Sequence, residues 1–458
     1  MTQERRTPKD RYDHGRSLRS QTPIESHAEW SPAPARQPVD LVEGQNEDRL
    51  PWLAPVRRSR MVVSPFTFYR GGARIMAADL ASTPVSGLRT QICGDAHLAN
   101  FGFYASPERR LVFDLNDFDE TLAGPWEWDV KRLATSLIIA GRHNGLEKKQ
   151  CRKLARKCVR TYSRAMSVLA EMRVTGVWYS MVEADRIVDA AEARELKKET
   201  DKAINKAKRA DSRKALDRLA EEIDGGYRIR HKPPLLVRVR NLPDASARDQ
   251  IRDETVRAFD AYRKNLPDDL ALLLGQFRLV DLALKVVGVG SVGTRCFIVL
   301  LEGRNRSDPL FLQLKQAGQS VLEEHLPRSR YRNAGRRVVE GQRLMQTVSD
   351  IFLGWTRSRV GGRDYYCRQL KDWKYSADVD NATREYLQMA ADMRGWTLAQ
   401  AHARAGDPSA ISGYLGSGKA FGRAIVEFAE RYADQNEQDH AAFAAEIADG
   451  RLEAAELE

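Results

Sequence analysis

The sequence predicts an α+β protein in which a small antiparallel β-rich region lies between two helical regions of the chain. Apolar residues recur at helical spacing in residues 127–175 and again from residue 382 onward. Between these stretches, CFIVLLEG and PLFLQLKQA are typical of strands, because they are rich in Val, Ile, Leu and Phe. We therefore expect helical regions at 51–270 and 379–458, and a β-rich region at 271–378.

The composition fits a globular protein with a basic surface. Hydrophobic residues make up 42% of the 458 residues, and the net charge is +11. A basic surface favours anionic partners such as nucleotides or nucleic acids.

The five cysteines have no CxxC spacing, which argues against a zinc site or a disulfide framework. No apolar run reaches the roughly 18 residues of a membrane span, and no apolar stretch follows the first charged residues. We expect a cytoplasmic protein without membrane association.

Individual elements can be placed along the chain. Residues 1–50 are rich in Arg, Asp, Pro, Ser and Gln, which predicts a disordered basic and polar arm. Ser64-Pro65 has the pattern of a helix start, and the spacing of apolar residues predicts a helix over 65–81. Two short strands follow, in QICGDAHLANFGFY and LVFDLNDFDE. Residues 190–223 are highly charged, as in a solvated helical hairpin.

The loop Gly94–Asn100 (GDAHLAN) contains residue types that phosphoryl transfer requires. Asp95 on a tight loop can accept the proton of an attacking hydroxyl. Asn100 offers a neutral oxygen to Mg²⁺, which prefers hard oxygen ligands. A second carboxylate must come from another strand, and Asp117 follows one directly. Asp114 is the alternative for this role, because VFD also reads as a strand that ends in Asp.

These two segments resemble the HGDxHxxN and IDFxD motifs of aminoglycoside phosphotransferases, which are relatives of the protein kinases. In this sequence Cys93 replaces the first His of the motif. The resemblance implies that Asp95 is the catalytic base and that His97 orients the loop. It further implies that Asn100 and Asp117 bind the metal, and that an Asp opening the next helix, Asp129, braces the catalytic loop.

Kinases also have a glycine-rich loop and a phosphate-binding lysine, which normally lie upstream of the catalytic loop. In this sequence the candidates for both lie downstream of it. The segment Gly288-Val-Gly290-Ser291-Val-Gly293 fits GxGxxG, and a strand follows it instead of the helix that a dinucleotide-binding site needs. The next strand ends in Lys315, as the lysine strand of kinases does. An acidic residue on the following helix, predicted at 333–348, should pair with this lysine. Glu340 is the first choice, and Glu323 is the second.

Both halves of a kinase-like site are therefore present in reversed order. Circular permutation is tolerated because chain termini often lie close together at the surface. The motifs SPFTFYRG, GDAHLANFG, NDFDE, GVGSVGT and VVEGQRLMQ resemble the bacterial family known as domain of unknown function 2252, over roughly residues 50–445. The two resemblances imply a bilobal protein-kinase-like fold in circularly permuted order, with a small antiparallel β lobe and a large helical lobe.

The expected activity is transfer of the γ-phosphate of ATP, with Mg²⁺, to a hydroxyl of an unidentified small molecule or protein. Arg70 lies in a helix that leads into the catalytic loop, so it could bind an anion there, although a structural ion pair is equally compatible. Nucleotidyl transfer on the same fold is one alternative. A non-catalytic nucleotide-sensing or nucleic-acid-binding protein is another; nucleic acid is the less favoured partner, because the basic segment 190–240 lacks interleaved aromatic residues.

Overall fold

The computed structural model describes residues 6–183, 204–205, 208, 212–223, 225–242, 245–358, 361–370, 373 and 379–456. Within them the helices are α1 (Pro8–Ser17), α2 (Pro38–Gly44), α3 (Ala54–Val62), α4 (Pro65–Gly71), α5 (Ala73–Leu80), α6 (Trp126–His143), α7 (Lys148–Glu171), α8 (Val174–Tyr179), α9 (Ser212–Leu219), α10 (Ala245–Lys264), α11 (Asp268–Gly275), α12 (Ala334–Met345), α13 (Arg384–Ala405), α14 (Pro408–Leu415) and α15 (Lys419–Ala448). The strands are β1 (Arg89–Ile92), β2 (Phe101–Ala105), β3 (Leu111–Leu115), β4 (Leu122–Pro125), β5 (Ala220–Ile223), β6 (Gly226–Ile229), β7 (Leu236–Arg238), β8 (Arg278–Lys285), β9 (Cys296–Glu302), β10 (Pro309–Ala317), β11 (Gly354–Arg357) and β12 (Asp364–Gln369). These strands pair antiparallel, so the described chain is a mixed α+β protein, as the sequence predicted.

The largest sheet has six strands in the order β11-β12-β10-β9-β8-β7. In β10, Leu312 and Leu314 belong to a buried cluster that also contains residues of α10 and α11. Successive side chains of a strand point to opposite faces, so Lys315 faces the other side. The register places Lys315 opposite Tyr366 of β12. The sheet thus presents one buried lysine on the face that does not contact α10 and α11.

The sheet extends beyond the expected β-rich region of 271–378. Strand β7 comes from an earlier segment and pairs with β8, where Val237 lies opposite Leu284. Only three residues of this segment are extended, which is too short for an alternating pattern to be visible in the sequence. Arg238 at the end of β7 is buried and donates a hydrogen bond of 2.6 Å to the carbonyl of Ile229 in β6.

The helices α6, α7, α13 and α15 pack together around the largest hydrophobic cluster. Every residue of α6 from Trp126 to Gly141 is buried. The ring of Trp126 stacks on the ring of Tyr162 in α7, with a centroid separation of 5.7 Å. Aromatic pairs of this kind bury large areas and prefer fixed geometry. The first turn of α6 is therefore a rigid support for the loops that lie on it.

Residues 6–50 are folded onto the helices, so the prediction of a disordered arm is wrong for them. Helix α1 packs against α14, and Arg19 donates to two carbonyls of α14 at 2.6 and 2.8 Å. Arg36 is held between Asp79 and Asp439, at 2.8 and 2.6 Å. These anchors are charged side chains whose partners lie far along the chain. Such contacts leave no apolar periodicity in the sequence, which explains why the segment resembles a disordered one.

The other predicted elements agree with the structure in most places. The helix expected over 65–81 is divided at Gly72 into α4 and α5. The helix expected at 333–348 is α12, which Asn333 caps through its side chain. The first part of the predicted hairpin at 190–223 lies outside the described residues; its end forms α9 followed by β5. None of the described helices is both long and apolar enough to cross a membrane.

Candidate functional site

The loop between β1 and β2 is held from below by the first turn of α6. The carboxylate of Asp129 accepts the backbone N–H groups of Cys93 and Gly94 at 2.7 and 2.9 Å. It also lies 3.2 Å from Nε2 of the buried His402. Gly94 has a φ of +79°, and a Cβ there would lie 2.6 Å from the carbonyl oxygen of Glu120, so only glycine fits. The expectation that Asp129 braces this loop is confirmed.

Asp95 extends from this loop into a cavity and contacts a buried arginine. The Nε of Arg132 donates to Asp95 Oδ1 at 2.5 Å, and His97 Nε2 lies 3.7 Å from Oδ2. Burial raises the pKa of Asp95 to about 7, against the lowering effect of Arg132. A carboxylate with this pKa can accept or release a proton near neutral pH, which is the property required of a general base.

Asn100 joins the Asp95 loop to the acidic loop after β3. Its Oδ1 accepts the backbone N–H of Asp117 at 2.8 Å, and its Nδ2 donates to the carbonyls of Asp95 and Asp117, both at 3.0 Å. The amide therefore fixes the distance between the two loops. One lone pair of Oδ1 is used in this contact, so Asn100 holds the loops together whether or not it also contacts a metal.

Asp117 is in the cavity and Asp114 is not. The side chain of Asp117 is 42% exposed and lines the cavity. Asp114 is buried against the end of α12, where it accepts the backbone N–H groups of Leu115 and Thr347 at 2.8 and 2.9 Å. Burial raises the pKa of Asp114 to about 6. Asp114 therefore does not line the cavity, and both of its carboxylate oxygens accept backbone N–H groups, so of the two candidates only Asp117 is placed to meet a ligand there.

Lys315 is paired with the acidic loop and not with a glutamate. Its Nζ contacts Asp119 Oδ2 and lies 3.6 Å from Asp117 Oδ2. The hydroxyl of Tyr366, on the neighbouring strand, donates to Asp119 Oδ1 at 2.9 Å. Lys315 is only 1% exposed, and its carboxylate neighbours hold its pKa above the usual range against the effect of burial.

Both glutamates proposed as partners of Lys315 contact arginines instead. Glu340 lies 3.8 Å from Arg336 on the same helix, and Glu323 lies 3.7 Å from Arg337. The inward-facing residue of α12 is Arg337, which donates to the carbonyl of Asp119 at 2.7 Å. Glu340 is close to Arg337 along the helix, but it contacts Arg336 while Arg337 occupies the place beside the acidic loop.

The glycine-rich loop joins β8 to β9 and lies over the acidic loop. Its Ser291 hydroxyl donates to Asp119 Oδ2 at 3.3 Å. Gly293 has a φ of +92°, and its carbonyl accepts the backbone N–H of Leu50 at 2.8 Å. Arg49 donates to the carbonyl of Val292. The strand–turn–strand arrangement is as the sequence predicted, and residues 49–50 hold the loop from the outside.

These elements surround a cavity of about 650 Å³. The predicted residues that line it are Arg70, Asp95, His97, Asn100, Asp117, Gly288, Gly290, Ser291 and Lys315. Gly293 and Glu340 do not line it, and neither does Asp114. The structure therefore brings together the two sequence segments, 95–117 and 288–315, that were expected to form one site.

Three of the charged residues that sequence reasoning missed contact predicted parts of the site. Asp119 binds Lys315, Arg132 binds Asp95, and Arg49 fixes the glycine-rich loop. A signal was present for Arg132, which lies three residues after Asp129 and hence on the same side of α6. Asp119 lies close to Asp117 in the NDFDE segment, and the sequence alone does not indicate which of the two carboxylates faces Lys315.

The carboxylates at the cavity are hard oxygen donors, which is the donor type that Mg²⁺ prefers. Among the described residues, no group of three or more His, Cys, Asp and Glu side chains is arranged to hold a metal. Asp117 and Asp119 nevertheless place two carboxylates at the cavity beside Lys315. Mg²⁺ is commonly bound through only one or two carboxylates, with substrate phosphates and water as its other ligands.

Comparison with known proteins identifies a family. The family described as uncharacterized proteins conserved in bacteria, domain of unknown function 2252 (DUF2252), matches residues 49–446. No curated protein and no solved structure matches the chain. The matched residues include Asp95, Asp117 and Lys315 and cover most of the sequence. The chain therefore belongs to this bacterial family.

Proposed function

We propose that this protein is an ATP- and Mg²⁺-dependent phosphotransferase with a protein-kinase-like fold in circularly permuted order. The contact between Lys315 and Asp119, which are 196 residues apart, carries the proposal. It joins the strand after the glycine-rich loop to the acidic segment that follows the Asp95 loop. A glycine-rich turn, a lysine on a nearby strand, a metal-binding aspartate and a catalytic aspartate are the recurring parts of kinase sites.

The element order supports a permuted kinase. The chain runs from β8 through the glycine-rich loop to β9, then to β10 with Lys315, and then to α12. This is the order of the nucleotide-binding lobe that the sequence resemblance implies, but it follows the catalytic segment instead of preceding it. The chain departs from the kinase arrangement in the residue that pairs with the lysine. Lys315 pairs with Asp119 of the acidic loop, whereas a glutamate on α12 was expected.

The residues of the cavity can divide the reaction between them. The glycine-rich loop and Lys315 bind the phosphates, which draws Lys315 partly away from Asp119. Asp117 and Asp119 would hold Mg²⁺, which would supply positive charge to offset that of the phosphates. Asp95 accepts the proton of the acceptor hydroxyl as the hydroxyl oxygen forms a bond to the γ-phosphorus. The bond from that phosphorus to the bridging oxygen breaks, and ADP leaves.

Thermal denaturation with ATP and Mg²⁺ tests the proposal. We expect ATP with Mg²⁺ to stabilise the protein by about 2.7 kcal/mol at about 100 times the dissociation constant. Asp117→Asn should remove most of this stabilisation, because the amide lacks the negative charge of the carboxylate, and EDTA should do the same to the wild type. The matched control is Asp260→Asn on α10, an exposed site outside the cavity. An unchanged shift in Asp117→Asn would contradict the assigned metal site.

Labelled ATP distinguishes the proposed reaction from its alternatives. With acceptors supplied by a bacterial metabolite and protein extract, we expect label to transfer from the γ-phosphate and not from the α-phosphate. Transfer from the α-phosphate would mean nucleotidyl transfer. Steeply salt-dependent nucleic-acid binding without ATP consumption would favour the non-catalytic alternative.

The pKa of Asp95 predicts a pH dependence. Since Asp95 must be ionised to act as a base and its pKa is raised to about 7, kcat/KM for ADP release should increase as the pH rises through about 7. The pKa of Asp95 in the folded protein exceeds the ordinary value of 3.8, so this group makes the free energy of unfolding decrease as the pH rises from about 3.8 to about 7. A rate that stays constant between about pH 6 and 8 would contradict this assignment.

A further inference from the structure

Three buried nitrogen atoms of cavity-lining residues lack hydrogen-bond partners among the described residues, and Nδ2 of Asn116 is one of them. The other two are Nε of Arg70 and Nδ1 of His97. The side chain of His97 is only 9% exposed, and both residues line the cavity beside Asp95. Buried polar nitrogens are nearly always hydrogen-bonded in folded proteins, so two such atoms at one place indicate a ligand that the chain alone does not supply.

The other cations that line the cavity have partners within the chain. Lys315 contacts Asp119, and Arg74 donates to Glu324 at 3.0 Å. Arg368 donates to Gln313 Oε1 at 3.0 Å, and Arg49 donates to a backbone carbonyl. Of the described cavity-lining cations, Arg70 is therefore the one whose buried nitrogen is left for an external anion.

The surroundings of Arg70 locate that anion. Gly290, in the middle of the glycine-rich loop, approaches the carbonyl of Arg70 so closely that a Cβ on Gly290 would lie 3.2 Å from it. The guanidinium lies in the field of Asp95 and Asp117, whose charges oppose the lowering of its pKa by burial. Arg70 is thus placed between the loop tip, the catalytic base and the metal-binding carboxylate, where a transferred phosphoryl group would lie.

We infer that Arg70 binds the terminal phosphate of a nucleoside triphosphate, with His97 donating a second hydrogen bond. The inference rests on the proposed function and specifies which phosphate Arg70 contacts. Arginine remains protonated and its planar fork matches phosphate oxygens. Burial lowers the pKa of His97 well below its usual range, so the ring is neutral and one nitrogen can donate. Arg70 therefore makes the site selective for ATP over ADP.

Isothermal titration of ATP and ADP, each with Mg²⁺, tests this inference with Arg70→Gln. We expect ATP affinity to fall by about 10- to 100-fold, the loss typical of a hydrogen bond to a charged group. Affinity for ADP should change by less than about threefold, since ADP lacks the contacted phosphate. Arg74→Gln is the matched control, because Arg74 also lines the cavity but is paired with Glu324; it should leave the ratio of the two affinities unchanged.

The outcomes separate the inference from the proposed function. Equal losses for ATP and ADP, or no loss for either, in Arg70→Gln would overturn the role of Arg70 while the phosphotransferase proposal stands. Wild-type protein that binds neither nucleotide would overturn both. If Arg70→Gln does not fold, the wild type decides: tighter binding of ATP than of ADP supports a terminal-phosphate contact, and equal binding refutes it.

Discussion

Asp95→Asn is expected to lower the rate of ADP release from ATP by about 10²- to 10⁴-fold, the usual contribution of a positioned general base. The amide keeps the size of the carboxylate but cannot accept the proton of the acceptor. Mg²⁺–ATP should still stabilise the variant, because the phosphate contacts assigned to Lys315 and the glycine-rich loop remain. The measurements are the steady-state rate of ADP release and the melting temperature with and without nucleotide.

The Asp95→Asn change also removes the charged partner of a buried arginine, and a control must account for this. Arg132 has a side chain that is 2% exposed, and breaking a buried pair costs about 3–5 kcal/mol. Asp95 itself is 24% exposed, so water should reduce that cost. Asp79→Asn is the matched control, since Asp79 pairs with the buried Arg36 outside the cavity. It should lower the free energy of unfolding without lowering turnover. Full turnover in Asp95→Asn would refute Asp95 as the base.

Lys315→Met is expected to abolish detectable stabilisation by Mg²⁺–ATP. The methionine fills a similar volume but cannot contact the phosphates, and two carboxylates then face the triphosphate with one charge fewer to oppose them. We also expect a lower melting temperature without nucleotide, because Asp119 loses its cation. Thermal denaturation and equilibrium titration measure the two effects. Retained nucleotide affinity in Lys315→Met would contradict the joining of the two sequence segments into one nucleotide site.

A double variant separates these two roles of Lys315. Lys315→Met with Asp119→Asn removes both charges, so the melting temperature should recover at least partly, as expected for coupled neighbours. Nucleotide binding should not recover. Lys131→Met is the control for loss of a buried lysine: Lys131 is 0% exposed, and its ammonium lies 4.6 Å from the centroid of the Phe428 ring. It should leave nucleotide binding unchanged, because it does not line the cavity.

Much of the candidate site was predictable because its residues lie in local patterns. The segment from Gly94 to Asn100 contains a turn, a carboxylate and an amide at short spacing, and β3 ends just before Asp117. Strand-type residues on both sides of the glycine-rich segment predicted β8 and β9. These are features that backbone sterics and side-chain alternation impose over a few residues, so they can be read without knowledge of the rest of the fold.

The sequence by itself thus determined the α+β class, the family, the strand–turn–strand segment and the positions of Asp95, Asp117 and Lys315. Tertiary structure decided which partners these residues have. Asp119 and not Glu340 pairs with Lys315 because Arg337 of α12 holds the acidic loop against β10, and Asp114 lies outside the cavity because its carboxylate accepts backbone N–H groups at the end of α12. Residues 6–50 are ordered by buried arginines whose partners lie nearly the whole chain away. Long-range electrostatic contacts leave no periodic signal in the sequence, so only the folded chain reveals them.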